Sequence, residues 1–303
     1  MSYKNGTKLQ IAILGNEGSW YVEDLARAAQ SRGHHSLRAD FRRLVSHVSG
    51  EHTSVTADGI NFDTIDAVIV RTMPPGTLEQ VVYRMDALQA LERAGKHVSN
   101  PPRAIECAVD KFLTTSRLAA CGLPIPRTIV CESADQALEV FELFDRDVVV
   151  KPIFGAEGRG IIRVSDPDLA FRSLRAIERL QQVIYIQEYI HHPGYDVRVM
   201  VLDGRILGGM RRSNPADFRT NVSRNGEASA HRVTDAEAVI ALAAAKAVHC
   251  KFAGIDLLYD QDGVCYVIEV NAVPGWRAFA KVNNIDVANF LVKSLENSHV
   301  HLE

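Results

Sequence analysis

Apolar and polar positions alternate over residues 9–70 in a way that predicts a small parallel sheet flanked by helices. Residues 9–14 and 65–70 are short apolar runs with the length of buried strands. Between them, Val22, Leu25 and Ala29 recur at helical spacing. Because strand, helix and strand follow one another in this order, we expect an α/β domain at the start of the chain.

The pattern changes after residue 126. Before it, residues 77–95 predict a long amphipathic helix that Gly95 ends, and two shorter helices follow Asn100. The prolines within 122–126 mark the first predicted domain boundary. Beyond it, strands are predicted at 127–131, 147–152, 160–164, 183–189, 195–202 and 205–212, and helices at 133–144, 166–181 and 236–250. Antiparallel hairpins around Gly-rich turns make this part α+β.

After the last of these helices, strict alternation predicts two short strands joined by a tight turn. Asp262-Gly263 is a strong two-residue hairpin signal, since both residue types tolerate the positive φ angles of a type I′ turn. With that turn, Asp256 on the first strand lies directly opposite Glu269 on the second. Their Cβ atoms would be about 5 Å apart.

Alternation along the second strand puts Asn271 on the face of Glu269, and Ile268 on the opposite face. Asp256, Glu269 and Asn271 would then present two carboxylates and an amide oxygen, which are suitable ligands for a hard cation such as Mg²⁺. The same residues also fit the polar outer face of an ordinary hairpin. A one-residue slip of the turn would change the pairing.

Composition narrows the function classes. The chain has 303 residues, of which 47% are hydrophobic and 23% charged, and a net charge of −3. These values are ordinary for a globular protein and exclude a general attraction to nucleic acid or to an anionic membrane. Five scattered cysteines without a C-x-x-C motif favour a reducing compartment and argue against a zinc site. With neither a signal-peptide core nor a membrane-length apolar run, we expect a cytoplasmic protein.

A glycine-rich loop follows the apolar strand that ends at Lys151. Gly155, Gly158 and Gly160 allow close approach of the backbone, so that N–H groups can face an anion, and the lysine adds a point charge. The loop lacks the G-K-[ST] of a Walker motif. By itself it also fits a plain flexible turn.

Arginines mark the strands that follow. Asp196 and Arg198 lie two residues apart on one strand and share a face. Arg211, Arg212 and Arg219 flank apolar strands, which favours a lined cleft slightly over a solvated surface. Elsewhere, Arg71 ends a predicted parallel strand at its carboxyl edge. There it either holds a substrate carboxylate or makes a structural salt bridge.

In this order the motifs K-P-x-x-G-x-x-G-x-G-I, Q-E-Y-I, D-x-R, R-x(6)-F-R-x-N, G-x-D-L-L and E-V-N-x-x-P-G resemble the ATP-grasp superfamily, and within it the RimK-type glutamate ligases. The resemblance covers about residues 65–285. The N-terminal half looks closest to the branch that adds glutamate to pterin-type C1 cofactors such as tetrahydromethanopterin. It implies an ATP-grasp fold with a small parallel α/β N-terminal domain (1–100), a central lid with linker helices (101–190) and a C-terminal antiparallel-sheet domain (191–303).

The resemblance also implies roles for individual positions. ATP would contact Lys111, Lys151, Gly155, Gly158, Gly160, Gln187, Glu188, Tyr189, Ile190 and Asp196. The transferred phosphoryl group and the acyl phosphate would face Arg198, Arg212, Arg219 and Asn221. Two Mg²⁺ (or Mn²⁺) ions would be held by Asp256, Glu269 and Asn271. Two departures stand out: Ala156 replaces a common serine of the phosphate loop, and Trp276 follows Gly275 where typical RimK proteins have a further glycine.

The implied function is an ATP-dependent carboxylate–amine ligase that works through an acyl phosphate. It would add L-glutamate to a tetrahydromethanopterin-like or methanofuran-like cofactor, or to a peptide carboxylate. A ligase for another amino acid or dipeptide, and a nucleotide-binding sensor without turnover, remain as alternatives. The intact carboxylates and arginines speak against the sensor. We expect neither nucleic acid nor membrane as a partner, and the pattern leaves a homo-oligomer open.

Overall fold

The computed structural model describes residues 8–155, 158–214, 217–219 and 226–300. The chain divides into two units. Unit 1 comprises Met1–Glu106, Cys250–Phe252 and Val273–Glu303, and unit 2 comprises Cys107–His249 and Ala253–Ala272. The division into three domains at residues 100 and 190 stays a prediction.

Strands and helices alternate along much of the described chain. The strands are β1 (Gln10–Leu14), β2 (His35–Ala39), β3 (Val45–Ser49), β4 (His52–Ala57), β5 (Ile60–Asn61), β6 (Ala67–Val70), β7 (His97–Ser99), β8 (Thr128–Cys131), β9 (Val148–Lys151), β10 (Ile162–Val164), β11 (Ile184–Glu188), β12 (Tyr195–Leu202), β13 (Arg205–Ser213), β14 (Glu227–His231), β15 (Phe252–Tyr259) and β16 (Cys265–Asn271). The helices are α1 (Trp20–Ser31), α2 (Leu78–Arg93), α3 (Pro102–Val109), α4 (Lys111–Ala120), α5 (Ala134–Leu143), α6 (Pro167–Arg179), α7 (Asp235–Ala247), α8 (Arg277–Asn283) and α9 (Val287–Val300). Within the described ranges, none of the helices has the length and apolar character needed to span a bilayer.

Unit 1 is built on a four-stranded sheet with the order β2-β1-β6-β7, in which all neighbours are parallel. This confirms the predicted small parallel sheet. Strands β1 and β6 are almost entirely buried, which explains their unbroken apolar sequence. Helix α2 begins with a capping box between Thr77 and Gln80, and Gly95 follows its end with a φ of +79°.

Unit 1 also contains a three-stranded antiparallel sheet, β3-β4-β5, in a stretch for which the sequence predicts only a polar segment. The periodicity is weak here because Val45 and Val48 on β3 are exposed, so that no apolar face alternates with a polar one. A local signal exists nevertheless. Asp58 and Gly59 both have positive φ and form the two-residue turn between β4 and β5.

Unit 2 contains two antiparallel sheets. The first has the order β10-β9-β11-β8, and the second has the order β14-β13-β12-β15-β16. Helices α5 and α6 supply apolar side chains to the core of the first sheet. The antiparallel α+β architecture predicted beyond residue 126 is therefore confirmed, although β14 is an addition to the predicted strands.

The last hairpin has the predicted central pair but a different turn. Asp256 lies opposite Glu269, as the sequence predicts. However, Tyr259 pairs with Cys265, and the Asp260 N–H donates to Val264 O at 3.1 Å. Residues 261–263 then form a three-residue loop in which only Gly263 has positive φ, at +82°. The expected type I′ turn was wrong. A bulge between Asp256 and Leu257 then shifts the register by one residue and restores the Asp256 pairing.

The bulge also overturns the expected strict alternation along β16. Val267 and Val270, three residues apart, are both buried, whereas Ile268 and Glu269 between them are both half-buried. An extra residue in one strand reorients the side chains that follow it. As a result, two consecutive residues of β16 lie on the side away from the core.

Candidate active site

A pocket in unit 2 gathers most of the predicted site residues. Those lining it are Lys111, Lys151, Gly158, Gln187, Glu188, Tyr189, Ile190, Asp196, Arg212, Arg219, Asp256 and Glu269. Four predicted residues do not line it: Gly155, Gly160, Arg198 and Asn271. Asn221 and Ala156 lie outside the described residues. Ile268 and Glu269, the two consecutive β16 residues that the bulge turns away from the core, both line this pocket.

Lys151 is the most buried cation of this pocket after Arg212. It ends β9, where the antiparallel register pairs it with Tyr185 of β11. Its Nζ donates to Gln187 Oε1 at 2.6 Å, and Gln187 Nε2 donates to Thr128 Oγ1 at 2.8 Å. Burial, with a smaller contribution from Lys111, lowers the pKa of Lys151 to about 8, while Glu269 acts in the opposite direction.

Lys111 connects the start of α4 to the glycine-rich loop. Its Nζ donates to the carbonyl oxygen of Gly155 at 2.9 Å, and its backbone N–H donates to Ile153 O. Gly158 and Gly160 have φ values of +68° and +73°, which L side chains rarely adopt, so that glycine is required for this loop conformation. Burial lowers the pKa of Lys111, and Glu269 partly offsets that effect.

The segment Gln187–Ile190, predicted to contact ATP and called the hinge below, makes several hydrogen bonds to neighbouring residues. The Glu188 N–H donates to Arg127 O, and the Glu188 carboxylate accepts hydrogen bonds from the backbone and side chain of Arg127. The Tyr189 N–H donates to Asp147 O. Neither Arg127 nor Asp147 was predicted as a site residue. Both brace the hinge from outside the pocket.

Two carboxylates and two guanidiniums form a compact cluster where β12, β13 and β15 lie side by side. Arg198 donates to both oxygens of Asp256 at 2.7 Å, and Arg212 donates to both oxygens of Asp196 at 2.6 Å. Arg212 also reaches Asp256 Oδ2 at 2.9 Å. The order β13-β12-β15 explains the meeting, since Asp196 pairs directly with Arg212 across the ladder.

Charge in this cluster is balanced. Burial alone would raise the pKa of Asp256, but the charges and hydrogen bonds of Arg198 and Arg212 outweigh it and lower that pKa to about 2. Burial would lower the pKa of Arg212, but Asp256 and Asp196 raise it above the ordinary value. Asp256 and Arg212 therefore stay ionised together.

Family models identify the chain. The RimK-like ATP-grasp domain matches residues 108–295, and the RimK PreATP-grasp domain matches residues 9–105. The chain belongs to the RimK-like ATP-grasp family. It is an ATP-grasp ligase, and ligases of this kind use ATP and Mg²⁺.

Two curated relatives have the same sequence identity to this ligase. The tetrahydromethanopterin:alpha-L-glutamate ligase of Methanosarcina acetivorans is 31% identical, over 96% of this chain and 99% of the relative. The ribosomal protein bS6--L-glutamate ligase of Escherichia coli is also 31% identical, over 95% of this chain and 96% of the relative. Among solved structures, the ATP-grasp ligase PsnB with Mg and ADP has a TM-score of 0.74 at 22% identity, over 97% of this chain and all of PsnB. That similarity shows the fold.

The donor set of the ligase suits Mg²⁺, although no group of three or more His, Cys, Asp or Glu that could hold a metal occurs among the described residues. Mg²⁺ takes one or two protein carboxylates and completes its shell with water and phosphate oxygens. Asp256 is ionised, and its Oδ1 accepts one hydrogen bond while its Oδ2 accepts two. The opposite carboxylate, Glu269, accepts no hydrogen bond from the part of the chain that the structure describes. One Oδ1 lone pair and the Glu269 carboxylate are thus available to a cation.

For two predicted residues, Asn271 and Arg219, the surroundings do not test the expected role. Asn271 is paired with Gly254 and does not line the pocket, so its role as a metal ligand stays a prediction. Arg219 lines the pocket and donates to the carboxylate of Asp217 and to Ile161 O at 3.1 Å. Its role at the phosphoryl group also stays a prediction.

Sequence reasoning missed the apolar part of the pocket wall. The unpredicted lining residues are Val149, Ile161, His192, Phe218, Leu258 and Ile268. A signal existed for two of them: Val149 and Leu258 lie two residues from Lys151 and Asp256 on their strands, and therefore share a face with them. Ile268 could not be found in this way, because only the bulge brings it to that face.

Proposed function

We propose that this ligase uses ATP to phosphorylate a carboxylate and then joins it to the amine of L-glutamate. The observation that carries the proposal is the unit 2 pocket, in which two lysines and a fixed arginine lie together with the carboxylates of Asp256 and Glu269 and an apolar wall. Both relatives described above are L-glutamate ligases, one for tetrahydromethanopterin and one for a ribosomal protein. The acceptor is accordingly a cofactor of the tetrahydromethanopterin type or a peptide carboxylate.

Nucleotide binding would use two parts of the pocket. The apolar side chains of Val149, Leu258 and Ile268 suit the faces of an adenine ring. Lys111 and Lys151 suit the phosphates, because both are held near the glycine-rich loop as partly desolvated point charges. Their Nζ atoms donate to the uncharged oxygens of Gly155 and Gln187, so a phosphate would give each a better partner.

Arg212 would stabilise the charge that develops during phosphoryl transfer and amine attack. Its Nε and Nη2 bind Asp196 and Asp256, while its Nη1 makes no hydrogen bond to the described residues. A donor fixed by two carboxylates needs no reorganisation when the negative charge appears. The amine of glutamate then attacks the acyl phosphate, and phosphate leaves.

Asp256 and Glu269 would hold divalent metal, two Mg²⁺ (or Mn²⁺) ions in this proposal, and metal bound there would neutralise the ATP phosphates. The residues around this metal site would have separate roles. Arg198 keeps Asp256 oriented and ionised, and Glu269 remains without an arginine partner among the described residues. Positioning and charge neutralisation together provide most of the catalysis in phosphoryl transfer.

The test measures ADP release with ATP, Mg²⁺ and L-glutamate against a panel of acceptors: a reduced pterin carrying a carboxylate, a furan cofactor precursor and peptides with acidic termini. Mass spectrometry then identifies the product. We expect ADP release that needs both glutamate and one acceptor, and a product heavier by one glutamyl residue. Turnover that ignores every amine, or ATP binding without hydrolysis for the whole panel, would contradict the proposal.

Variants connect the activity with the pocket. Glu269→Ala should abolish metal-dependent ADP release and leave the circular dichroism spectrum unchanged. Glu139→Gln is the matched control, because Glu139 is an exposed residue of α5 away from the pocket. Full activity in Glu269→Ala would refute the metal role of this carboxylate.

A further inference from the structure

Arg71 of unit 1 is a buried cation that the reaction described above does not use. It directly follows β6 and is 7% exposed. Its guanidinium lies between the rings of Tyr21 and Trp276, with its central carbon 4.9 and 4.3 Å from the two ring centres. Nη2 donates to Pro274 O at 3.1 Å, whereas the buried Nε has no hydrogen-bond partner in the part of the chain that the structure describes.

No acid compensates this charge. Among the described residues, no Asp or Glu forms an ion pair with Arg71, so that the structural salt bridge considered from the sequence is not found there. Burial lowers the pKa of Arg71 to about 10, and only the phenol of Tyr21 acts in the opposite direction. Arginines are almost never fully buried without a partner, and a buried donor without one costs about 1–3 kcal/mol. Two aromatic faces offset part of the cost of burial.

A second arginine lies at the same edge of the sheet. Arg38 of β2 donates from Nη1 to Gly15 O at 3.4 Å, and it forms no ion pair within the described ranges. Gly15 directly follows β1, and a Cβ atom at this position would lie 3.5 Å from Arg71 Cβ. Three neighbouring parallel strands thus bring Arg38, Gly15 and Arg71 together at their carboxyl ends, where open α/β sheets bind ligands.

The start of α1 supplies further N–H donors, although its first turn also carries the acidic Glu23. This 12-residue helix follows the β1 loop, and its N-cap residue Ser19 makes no side-chain hydrogen bond to the first turn. Uncapped first-turn N–H groups and the helix dipole favour an anion. Tyr21, which stacks on Arg71, belongs to the same first turn.

We propose that Arg71, Arg38 and the first turn of α1 form a binding site for a carboxylate. Because rings lie against both faces of the Arg71 guanidinium, an anion has to approach in its plane. A carboxylate and a phosphate can both bind such an edge through two parallel N–H···O bonds. The choice of a carboxylate follows from the proposed function, in which both the acceptor and L-glutamate carry one. That the carboxylate belongs to a substrate rests on the proposed function; the binding of an anion itself does not.

The test needs no nucleotide and no turnover. Glutarate, a dicarboxylate without an amine, is titrated into the full-length protein while thermal unfolding is followed, with neutral glutaramide and inorganic phosphate as comparison probes. We expect glutarate to raise the unfolding temperature and the other two to have no comparable effect. No shift with glutarate, or a larger shift with phosphate, would overturn the carboxylate assignment.

Substitutions separate ligand binding from a structural role. Arg71→Met keeps the length of the side chain and should weaken glutarate binding at least tenfold without lowering the unfolding temperature of the free protein. Arg38→Met should weaken binding less, and it keeps the proposal testable if Arg71→Met does not fold. Arg211→Met is the control, because Arg211 stacks on Tyr195 in unit 2 at 3.7 Å and lies outside both sites. Unchanged glutarate binding in Arg71→Met and Arg38→Met would overturn the proposal.

Two further probes identify the source of the carboxylate. Binding of L-glutamate but not N-acetyl-L-glutamate assigns the site to the incoming amino acid, and the reverse assigns it to the acceptor. If the proposed site is correct, Arg71→Met weakens the binding of whichever of the two compounds binds. An absence of ADP release in the wild-type enzyme would contradict the ligase proposal and leave these binding results unaffected.

Discussion

The two units bury arginine in opposite ways. In unit 2, Arg212 is 2% exposed and contacts the carboxylates of Asp196 and Asp256. In unit 1, Arg71 is 7% exposed and has two aromatic rings and one carbonyl oxygen. Similar burial with different partners implies different roles. An arginine held by two carboxylates is a fixed donor for charge that develops during a reaction, whereas one without a counter-ion is ready to bind an anion in the ground state.

The largest loss of stability is expected on substitution of Asp256, the carboxylate shared by both arginines of the unit 2 cluster. We expect Asp256→Asn to lower the free energy of unfolding by about 3–5 kcal/mol, because it removes the counter-ion of Arg198 and one of the two counter-ions of Arg212. Urea unfolding should be followed by circular dichroism, since both tryptophans, Trp20 and Trp276, belong to unit 1. Asp262→Asn at the exposed hairpin tip is the control. Equal stability of the two variants would contradict a tightly paired cluster.

A smaller loss is expected for Arg212→Met. Asp256 keeps its two hydrogen bonds to Arg198, and only Asp196 loses its charged partner. The free energy of unfolding should therefore fall by about 1.5–3 kcal/mol, the range for hydrogen bonds to charged groups. The same urea experiment measures it. A loss as large as that of Asp256→Asn would mean that Arg198 does not hold Asp256 independently.

Lys151 should make nucleotide binding depend on pH. Its pKa of about 8 means that the protonated, phosphate-binding form becomes less populated as the pH rises above 8. The dissociation constant of ADP, titrated in EDTA so that no metal contributes, should rise by up to about tenfold per pH unit above that value. Lys151→Met should bind ADP weakly and without this dependence, while the exposed Lys246→Met should match the wild type. A flat profile in the wild type would show that Lys151 is not the titrating contact.

The smallest change in stability is expected for Arg71, and it tests the difference between the two buried arginines most directly. Arg71→Met should leave the free energy of unfolding within about 1 kcal/mol of the wild type or raise it, because an uncompensated buried charge is replaced by an apolar chain of similar length. Tryptophan fluorescence is the suitable probe, since the guanidinium stacks directly on Trp276. A loss comparable to that of Arg212→Met would mean that Arg71 mainly holds the Pro274 segment in place.

Two Asp-Gly dipeptides show that this sequence signal predicts one turn correctly and fails at another. Asp58-Gly59 forms a two-residue turn with positive φ at both residues, whereas Asp262-Gly263 lies in a three-residue loop. The difference comes from Asp260, whose Oδ1 accepts hydrogen bonds from the N–H groups of Asp262 and Val264. A dipeptide signal does not include that neighbour, so the turn at 262–263 could not be predicted from it.

The element order, the parallel sheet and most strand bounds follow from periodicity, since they depend on which residues must be buried. The site is less predictable. Motifs place Asp196, Arg212 and Asp256 in it, but their mutual pairing depends on the strand order β13-β12-β15. The contribution of Ile268 depends on a bulge that the burial of Val267 and Val270 imposes. Such features arise from packing between strands distant in sequence.

The bulge in the last hairpin has a practical consequence for protein engineering. Because the bulge fixes the pairing of Asp256 with Glu269, the loop beyond it is not needed to hold these carboxylates in register. Residues 261–263 are exposed, and lengthening a surface loop adds little to the entropy of closing it. The hairpin tip is therefore a suitable place to insert a peptide tag or a fluorophore-binding sequence, which would place a reporter at the far end of the hairpin from the pocket.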